Sequence, residues 1–589
     1  MQRHGGRIAY FILGEGVILE GRDFSCVGGQ SPATPPPAAA PPRVSGLKFG
    51  RLFGRTRHKP RLEERARIVQ KLIRLGLCMN DPARYCGQPA VEDDDESDAA
   101  KLFRPLAGYT YLGQFIAHEI TYDSTGDLLA SDLQPENLRT PQVDLDSLYG
   151  RAGGPKGCPA LYRDGAYLKT GDTIEAQTLY QKFPNDLLRG TSDTPSANGN
   201  PQQAVIGDPR NDENLALAQT HVAFIHFHNK VVDKIKAENP DYPTAKLFEL
   251  AREQVIRHYQ WIILYDFLPQ IVRADVLDCV MRHGIRWFKD DDGLFMPLEF
   301  SVAAFRIGHS MVRDKYEWNP LRRTDKYRNL AASLMDLFKQ TGFLRAAPAP
   351  ASAAGARSDA GESVPPTPVK IGLDGMDKLK SDWVIDWRHF YDFSPLPHVR
   401  RVPKQNFSAK FDTVFDMHLD TVEGFPAEKI DKMQRAITVR NLLRGFYLGL
   451  PTGEEVAEWV GETPLTRKQV ASGPHESLLD DPVFWGKTPL WYYILKEAEL
   501  LGFGPDGVPG NRLGPVGSRI VAETLIGLIK HSPYSILDAP KWYPKYTSRG
   551  EPGTESALFG MIDLLDFADV VDPVARYIRQ NAPYIDLQE

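Results

Sequence analysis

Apolar positions recur at helical spacing along most of the chain. From Arg61, RLEERARIVQKLIRLGL repeats apolar residues every three to four positions, and from Leu215 the stretch LALAQTHVAFIHFHNKVVDKIK does the same over six turns. Val302, Phe305, His309 and Val312 fall at intervals of 3, 4 and 3 residues, which places His309 on the buried face of a helix. Strand signals are few and short, and no internal repeat is visible. The pattern predicts a mainly α protein, one large helical domain with minor short β elements. At 589 residues and 42% apolar composition the chain can bury a large core, although length alone would allow two to four domains. Two Pro/Ala-rich segments punctuate it. SPATPPPAAAPPR (31–43) separates an N-terminal tail and linker (1–45) from the domain (46–589), and residues 346–368 read as a disordered insertion within that domain.

Charge narrows the partners. Lys and Arg number 70 against 76 Asp and Glu, so the chain is mildly acidic and lacks the basic stripe that phosphate backbones require. The acidic run EDDDESD (92–98) reads as an exposed loop. No apolar run reaches the roughly 20 residues of a membrane helix. IAYFILGEGVIL is broken by Gly14, Glu15 and Gly16, has no small-residue cleavage site and suits a short strand pair or docking tail. The expected compartment is therefore the cytoplasm, with leaderless export left open. Five cysteines, at 26, 78, 86, 158 and 279, show neither CxxC nor CxxCH spacing, which argues against a zinc site and a c-type haem. Reduced thiols are the expectation, although one disulfide with spare thiols would look similar. The glycine-rich GPDGVPGNRLGPVGS (504–518) lacks the ending of a P-loop and reads as tight turns.

Three segments carry candidate chemistry. In GQFIAHE, Gln114 and His118 are i, i+4 and share one helix face, while Glu119 points about 100° away toward a different site. In GDPRNDEN (207–214), Arg210 precedes Glu213 by three residues just ahead of the long helix. Here helix capping by Asp208 or Asn211, with Arg210 a surface charge, is the competing reading. In AFRIGH, Arg306 lies one turn before His309, and Gly308 removes a side chain where a flat group would approach. His221 and His228, on an apolar face with Leu217, Phe224 and Val231, read as structural histidines.

Together GQFIAHE, GDPRNDEN and AFRIGH resemble the motifs of the animal-type haem peroxidases, the peroxidase-cyclooxygenase superfamily, in a myeloperoxidase-like and bacterial form. TPQVDLDSLYG (140–150) resembles the family's calcium loop, RNLLRGFYLGLP (440–451) adds a fifth ordered match, and the likeness runs from about Phe49 to Ile585. The resemblance implies haem b with His118 as distal acid/base, Arg210 as its cationic companion and Gln114 orienting distal water or substrate. It implies His309 as proximal iron ligand, Asn441 hydrogen-bonded to the second nitrogen of His309, and Arg306 and Arg444 holding propionates. Calcium would be held by Glu119, Thr140, Asp144, Asp146 and the carbonyl of Gln142, with Asp residues as simple turn formers the alternative.

Departures from the family pattern matter. Family members usually carry aspartate at Glu119 and serine at Asp146. Ala117 stands where the family has an ester-forming aspartate, and Asn214 where myeloperoxidase has its sulfonium-forming methionine, so Glu213 is the one residue left for an ester link to haem. Fewer links imply a less oxidising iron. The resemblance thus implies a peroxidase that uses hydrogen peroxide, through a ferryl porphyrin radical, to oxidise phenols, iodide, bromide or thiocyanate rather than chloride. The rivals are a fatty-acid dioxygenase of the same superfamily, which carries tyrosine where Arg306 stands, and a non-catalytic haem or calcium binding module.

Overall fold

The computed structural model describes residues 49–87, 101–122, 137, 139–150, 154–176, 182–190, 202–289, 293–319, 331–342, 373, 376–402, 404–415 and 436–572. The tail 1–45, the acidic run 92–98 and the insertion 346–368 lie outside these residues. What is described is mainly helical, with strands of two or three residues. The helices used below are α1 (Leu62–Asn80), α2 (Gly108–Ile120), α3 (Asp146–Tyr149), α4 (Leu215–Glu238), α5 (Thr244–Ile262) and α6 (Ile437–Tyr447). Both long periodic stretches of the sequence became helices, α1 and α4, within three residues of where the pattern places them.

α4 is buried almost all round through its first four turns. Its N-terminus is fixed by Asn214, whose side chain accepts a hydrogen bond from the Leu217 amide at 2.9 Å. α2 packs on α4, and stacked Phe115 and Phe224, 4.8 Å apart, fill the contact with Tyr259 of α5 against both. α6 lies along α1, and Gly76 permits the close approach: a Cβ there would come within 2.7 Å of the Val439 backbone. Apolar side chains from Leu52 to Val571 join in one connected core. The strands are short: β1 (Phe49–Gly50) pairs in parallel with β4 (Met296–Pro297), and β2 (Tyr162–Arg163) with β3 (Tyr167–Leu168) and β5 (Lys315–Glu317) with β6 (Ala331–Ser333) pair antiparallel.

Two expectations change here. Cys78, at the end of α1, is disulfide-bonded to Cys86 of the short helix that follows, with Cα atoms 5.7 Å apart, and Cys158 is also disulfide-bonded. Reduced thiols were inferred from spacing alone, which does not register that Asp81, capping the second helix through the Arg84 amide, turns the chain back on itself. The segment carrying His309 is also no regular α-helix. A π-helical turn (Glu299–Ala303) runs into a 3₁₀ turn (Ala304–His309), and in the tighter helix residues three apart eclipse, so Arg306 and His309 share a face.

Buried neutral histidines make the fold acid-sensitive. Burial lowers His258 to about 3 and His228 and His475 to about 4. His258 caps a chain turn by accepting from the Lys545 amide at 3.1 Å, and His228 donates to the Ala166 carbonyl at 2.8 Å. A native pKa below the unfolded value of about 6.5 means that the unfolded chain binds the extra proton. The stabilisation is whole above pH 6.5 and is lost as pH falls toward 3 to 4. Denaturant midpoints measured from pH 8 to pH 4 should fall steadily below 6.5, with a flatter profile for His258→Gln.

Candidate functional site

α2 and the π/3₁₀ segment that ends at His309 line one slot, and the 207–214 loop is hydrogen-bonded to α2. Gln114 and Ala117 of α2 line one wall and Arg306, Gly308 and His309 the other, with Phe267 and Phe300 between them. The slot's free volume is only about 40 Å³, well below the roughly 300–1,000 Å³ of cofactor sites. A flat macrocycle therefore enters only as side chains swing aside. Gly308 is placed for this, since a Cβ there would meet nothing within 4 Å.

On the α2 side His118 is fully buried. Its Nδ1 meets Asn211 Oδ1 at 2.9 Å, and an amide oxygen only accepts, so Nδ1 carries the proton and Nε2 the lone pair. The orientation of Asn211 is set in turn by its Nδ2, which donates to His221 Nδ1 at 3.0 Å. Nε2 of His118 has no hydrogen-bond partner, its nearest carboxylate oxygen being Glu213 Oε2 at 3.6 Å. Burial, then the charge of Arg210, lowers His118 to about 3, so the ring is neutral at ordinary pH. Gln114 is clamped at both ends of its amide, donating to Glu213 Oε2 at 3.1 Å and accepting from Asn214 Nδ2 at 2.8 Å.

Arg210 is no surface charge. It is fully buried, its Nη2 donates to the His118 carbonyl at 2.7 Å and to Asp208 Oδ2 at 2.7 Å, and its guanidinium lies 4.3 Å from the Tyr122 ring. The capping reading holds only for the short 3₁₀ turn Pro209–Asp212, where Asp208 Oδ1 accepts from the Arg210 amide at 2.9 Å, since α4 itself is capped by Asn214. One Asp thus shapes the turn and neutralises the arginine. Nη1 of Arg210 remains buried without a hydrogen-bond partner.

On the opposite wall, Asn441 of α6 reaches His309 Nδ1 at 3.0 Å with its Nδ2. The expected contact exists, but with reversed polarity. Arg306, which has only donors, holds Asn441 Oδ1 at 2.6 Å, so the amide turns its NH₂ toward His309. A pull toward imidazolate would need Oδ1 facing an Nδ1 proton instead. Arg444 is buried one turn further along α6.

Behind α2 the carboxylates of Glu119, Asp144 and Asp146 present oxygens all within 4.8 Å of one another. Leu145 between the two aspartates sits in the left-handed region at φ 58°, a conformation that costs a leucine about 1–3 kcal/mol and lets both neighbours face Glu119. Glu119 also accepts from the amides of Asp146 and Ser147 at 2.8 and 3.0 Å. The Thr140 hydroxyl lies 3.5 Å from Asp146 Oδ2, and Gln142 is half-buried in the same loop. Burial and the mutual repulsion with Asp146 raise Asp144 to about 6, and burial with both aspartates raises Glu119 well above its ordinary value. Asp144 Oδ1 has no hydrogen-bond partner. Crowded hard oxygens, one without a hydrogen bond, are a donor set that fits calcium.

A family model described as animal haem peroxidase matches residues 113–348, a span that holds α2, the 207–214 loop and His309. This part of the chain is similar to an animal haem peroxidase domain. Dual oxidase of Drosophila melanogaster is 26% identical over 207 residues, covering 33% of this chain, and thyroid peroxidase of Mus musculus is 27% identical over 188 residues, covering 31% of it. The matched segments span 12% and 20% of those relatives' own lengths. Peroxidase A from Dictyostelium discoideum shares the fold, with a TM-score of 0.52 and 15% identity over 84% of this chain and 89% of that one.

The structure brings Gln114, His118, Arg210 and Glu213 together on one side, and His309, Arg306 and Asn441 on the other. Three contributors escaped the sequence reading. His221, taken there as structural, and Asn211, weighed only as a cap, form the chain behind His118. Arg139 donates from Nη1 to Asp146 at 2.8 Å and from Nε to Asp208 at 3.0 Å. It thus connects the carboxylate cluster to the holder of Arg210. Its position directly before TPQVDLDSLYG, in a chain with Asp146 where the family has serine, was the available signal.

Two predictions arise here. Asn211→Leu removes the acceptor that fixes the His118 tautomer and should slow the peroxide reaction about 10–100-fold, while Asn211→Asp retains an acceptor and most of the rate. Peroxide consumption with stopped-flow absorbance measures both. Calcium at a hundredfold excess over its Kd should raise stability by about 2.7 kcal/mol relative to chelated protein, and Asp144→Asn should abolish most of the response. An unfolding midpoint insensitive to calcium would remove the calcium assignment.

Proposed function

We propose that this chain is a haem peroxidase that uses hydrogen peroxide to oxidise small donors. The observation that carries the reading is His118: buried, neutral, held by Asn211 so that Nε2 offers its lone pair, and set beside a buried arginine with a free N–H group. Haem, held through His309 with Arg306 and Arg444 at its propionates, would supply the iron that binds peroxide and the redox capacity that passes two oxidising equivalents to donors. His118 Nε2 takes the proton from one peroxide oxygen and delivers it to the other, which leaves as water. Arg210 Nη1 donates to the oxygen that becomes negative in that step, and Asp208 and Arg139 keep the guanidinium from moving. Gln114, clamped by Glu213 and Asn214, directs its remaining N–H into the slot. Glu119, Asp144, Asp146 and Thr140, with the Gln142 carbonyl, would hold calcium and brace α2 from behind.

With Ala117 and Asn214 at two of the family's attachment positions, haem b would be joined to the protein through Glu213 at most. Readily oxidised donors follow: phenols, iodide, bromide and thiocyanate. The Cys78–Cys86 pair supports an oxidising compartment rather than the cytoplasm. Among the described residues no helix is long and apolar enough to cross a membrane.

A fatty-acid dioxygenase is the second reading. Tyr109 lines the slot and donates to Asp266 at 2.6 Å, a carboxylate able to receive the phenolic proton if the ring is oxidised. Stopped-flow absorbance of the haem-loaded protein with hydrogen peroxide decides between them. Rapid Soret bleaching with donor-dependent recovery supports the peroxidase. Peroxide-triggered oxygen uptake with linoleate, abolished in Tyr109→Phe, supports the dioxygenase, and no spectral change leaves a haem binder.

A further inference from the structure

A second cavity, separate from the haem slot, opens between the loop before α1, the end of α6 and the helix Leu490–Leu501. Its free volume is about 790 Å³, inside the range of small-molecule sites. The floor is apolar and aromatic: Leu72, Phe446, Tyr447, Phe484 and Trp491 all line it. Trp491 is 2% exposed, and its Nε1, which can only donate, is buried without a hydrogen-bond partner. Such a group costs about 1–3 kcal/mol while unpaired.

The rim is cationic. Arg55, Lys59, Arg65 and Lys487 surround the opening, and Glu64 is the acidic residue that lines it. Arg57 and Arg67 also line the cavity but are engaged with Glu458 and Asp481 at 3.5 and 3.4 Å. Arg65 stacks over Phe446, joining rim to floor. Arg55, Lys59 and Lys487 make no ion pair among the described residues and are exposed. This concentration of positive charge stands out in a chain whose net charge is −6.

We propose that this cleft binds an aromatic organic anion, a carboxylate or sulfonate whose ring lies on Phe446, Phe484 and Trp491 and whose charge is met at the Arg55, Lys59 and Lys487 rim. Aromatic faces recognise the flat body, and the flexible exposed cations recognise charge without demanding one head-group geometry. Asn441, whose amide contacts His309, forms part of the wall. Occupancy of the cleft therefore abuts the proximal side of the peroxidase slot without entering it.

Isothermal titration of the haem-loaded full chain with 2-naphthoate and with its neutral counterpart 2-naphthamide tests this. The naphthoate should bind one site at least tenfold more tightly than the amide and weaken as salt rises. The exposed triple variant Arg55→Glu/Lys59→Glu/Lys487→Glu should lose at least tenfold in naphthoate affinity and little in amide affinity. Trp491→Phe should weaken both about threefold or more. Equal affinity for acid and amide, no binding of either, or indifference to the rim reversal overturns the proposal. The rim variant's Soret response to peroxide, expected to match the parent's, separates this outcome from any failure of the peroxidase reading.

Discussion

Replacing His118 with alanine should slow the reaction with hydrogen peroxide by about 10²–10⁴-fold while the protein still loads haem. The ring is fully buried and neutral, with Nδ1 committed to Asn211 and Nε2 left as a basic nitrogen without a hydrogen bond. Another proton acceptor beside it is the Glu213 carboxylate. Glu213 Oε2 lies 3.6 Å away but receives the Gln114 amide, and Arg210 has no lone pair to offer. The loss should be in the rate of Soret change rather than in the resting spectrum, since His309 and Arg306 lie on the opposite wall. His118→Gln should recover little, because an amide nitrogen does not accept a proton at neutral pH. A His118→Ala protein that consumes peroxide within tenfold of the parent rate would show that proton transfer runs through another group.

The second large effect concerns stability. Asp146, Arg139, Asp208 and Arg210 form an alternating chain of buried carboxylates and guanidinium groups, and no side chain in it is more than 8% exposed. Burial would raise Asp208, but Arg139 and Arg210 outweigh it and hold its pKa far below the usual carboxylate range. Burial would equally disfavour the charge of Arg139, and Asp146 and Asp208 reverse that. Arg139→Leu removes the shared cation from both acids at once. Breaking a buried pair costs about 3–5 kcal/mol because a buried charge is left uncompensated, and this change should reach the upper end of that range. Adding Asp146→Ser to Arg139→Leu removes the stranded acid, Asp208 still being paired with Arg210, and should return part of the loss, read as a denaturant midpoint between those of the parent and the single variant. Calcium should stabilise the single variant more strongly than the parent, since a divalent cation and Arg139 together neutralise the three carboxylates of the cluster. If Arg139→Leu unfolds at the parent's midpoint, the chain of charges contributes nothing net and the link from cluster to Arg210 is only geometric.

Much of this protein is written locally. Period-3.6 patterning placed α1 and α4, and the short motifs placed Gln114, His118, Arg210, Glu213, Arg306, His309 and Asn441 near one slot, because helix faces and i, i+3 or i, i+4 neighbours are properties of sequence spacing. The mainly helical fold follows from the same signal. What spacing does not encode is which distant partner satisfies a buried polar group. That Asn211 presents its oxygen to His118 depends on His221, ten residues away along a different helix, and that Asn441 presents its nitrogen to His309 depends on Arg306, 135 positions distant. The π and 3₁₀ turns before His309 break the period that the apolar residues advertise, since packing rather than propensity sets that segment's winding. Arg139, the Cys78–Cys86 bond and the cationic cleft belong to the same class. Sequence by itself determined the helices and the reactive side chains; the tertiary structure decided their hydrogen-bond polarity, their charge balance and their neighbours, because those depend on groups that only folding brings within a few ångströms.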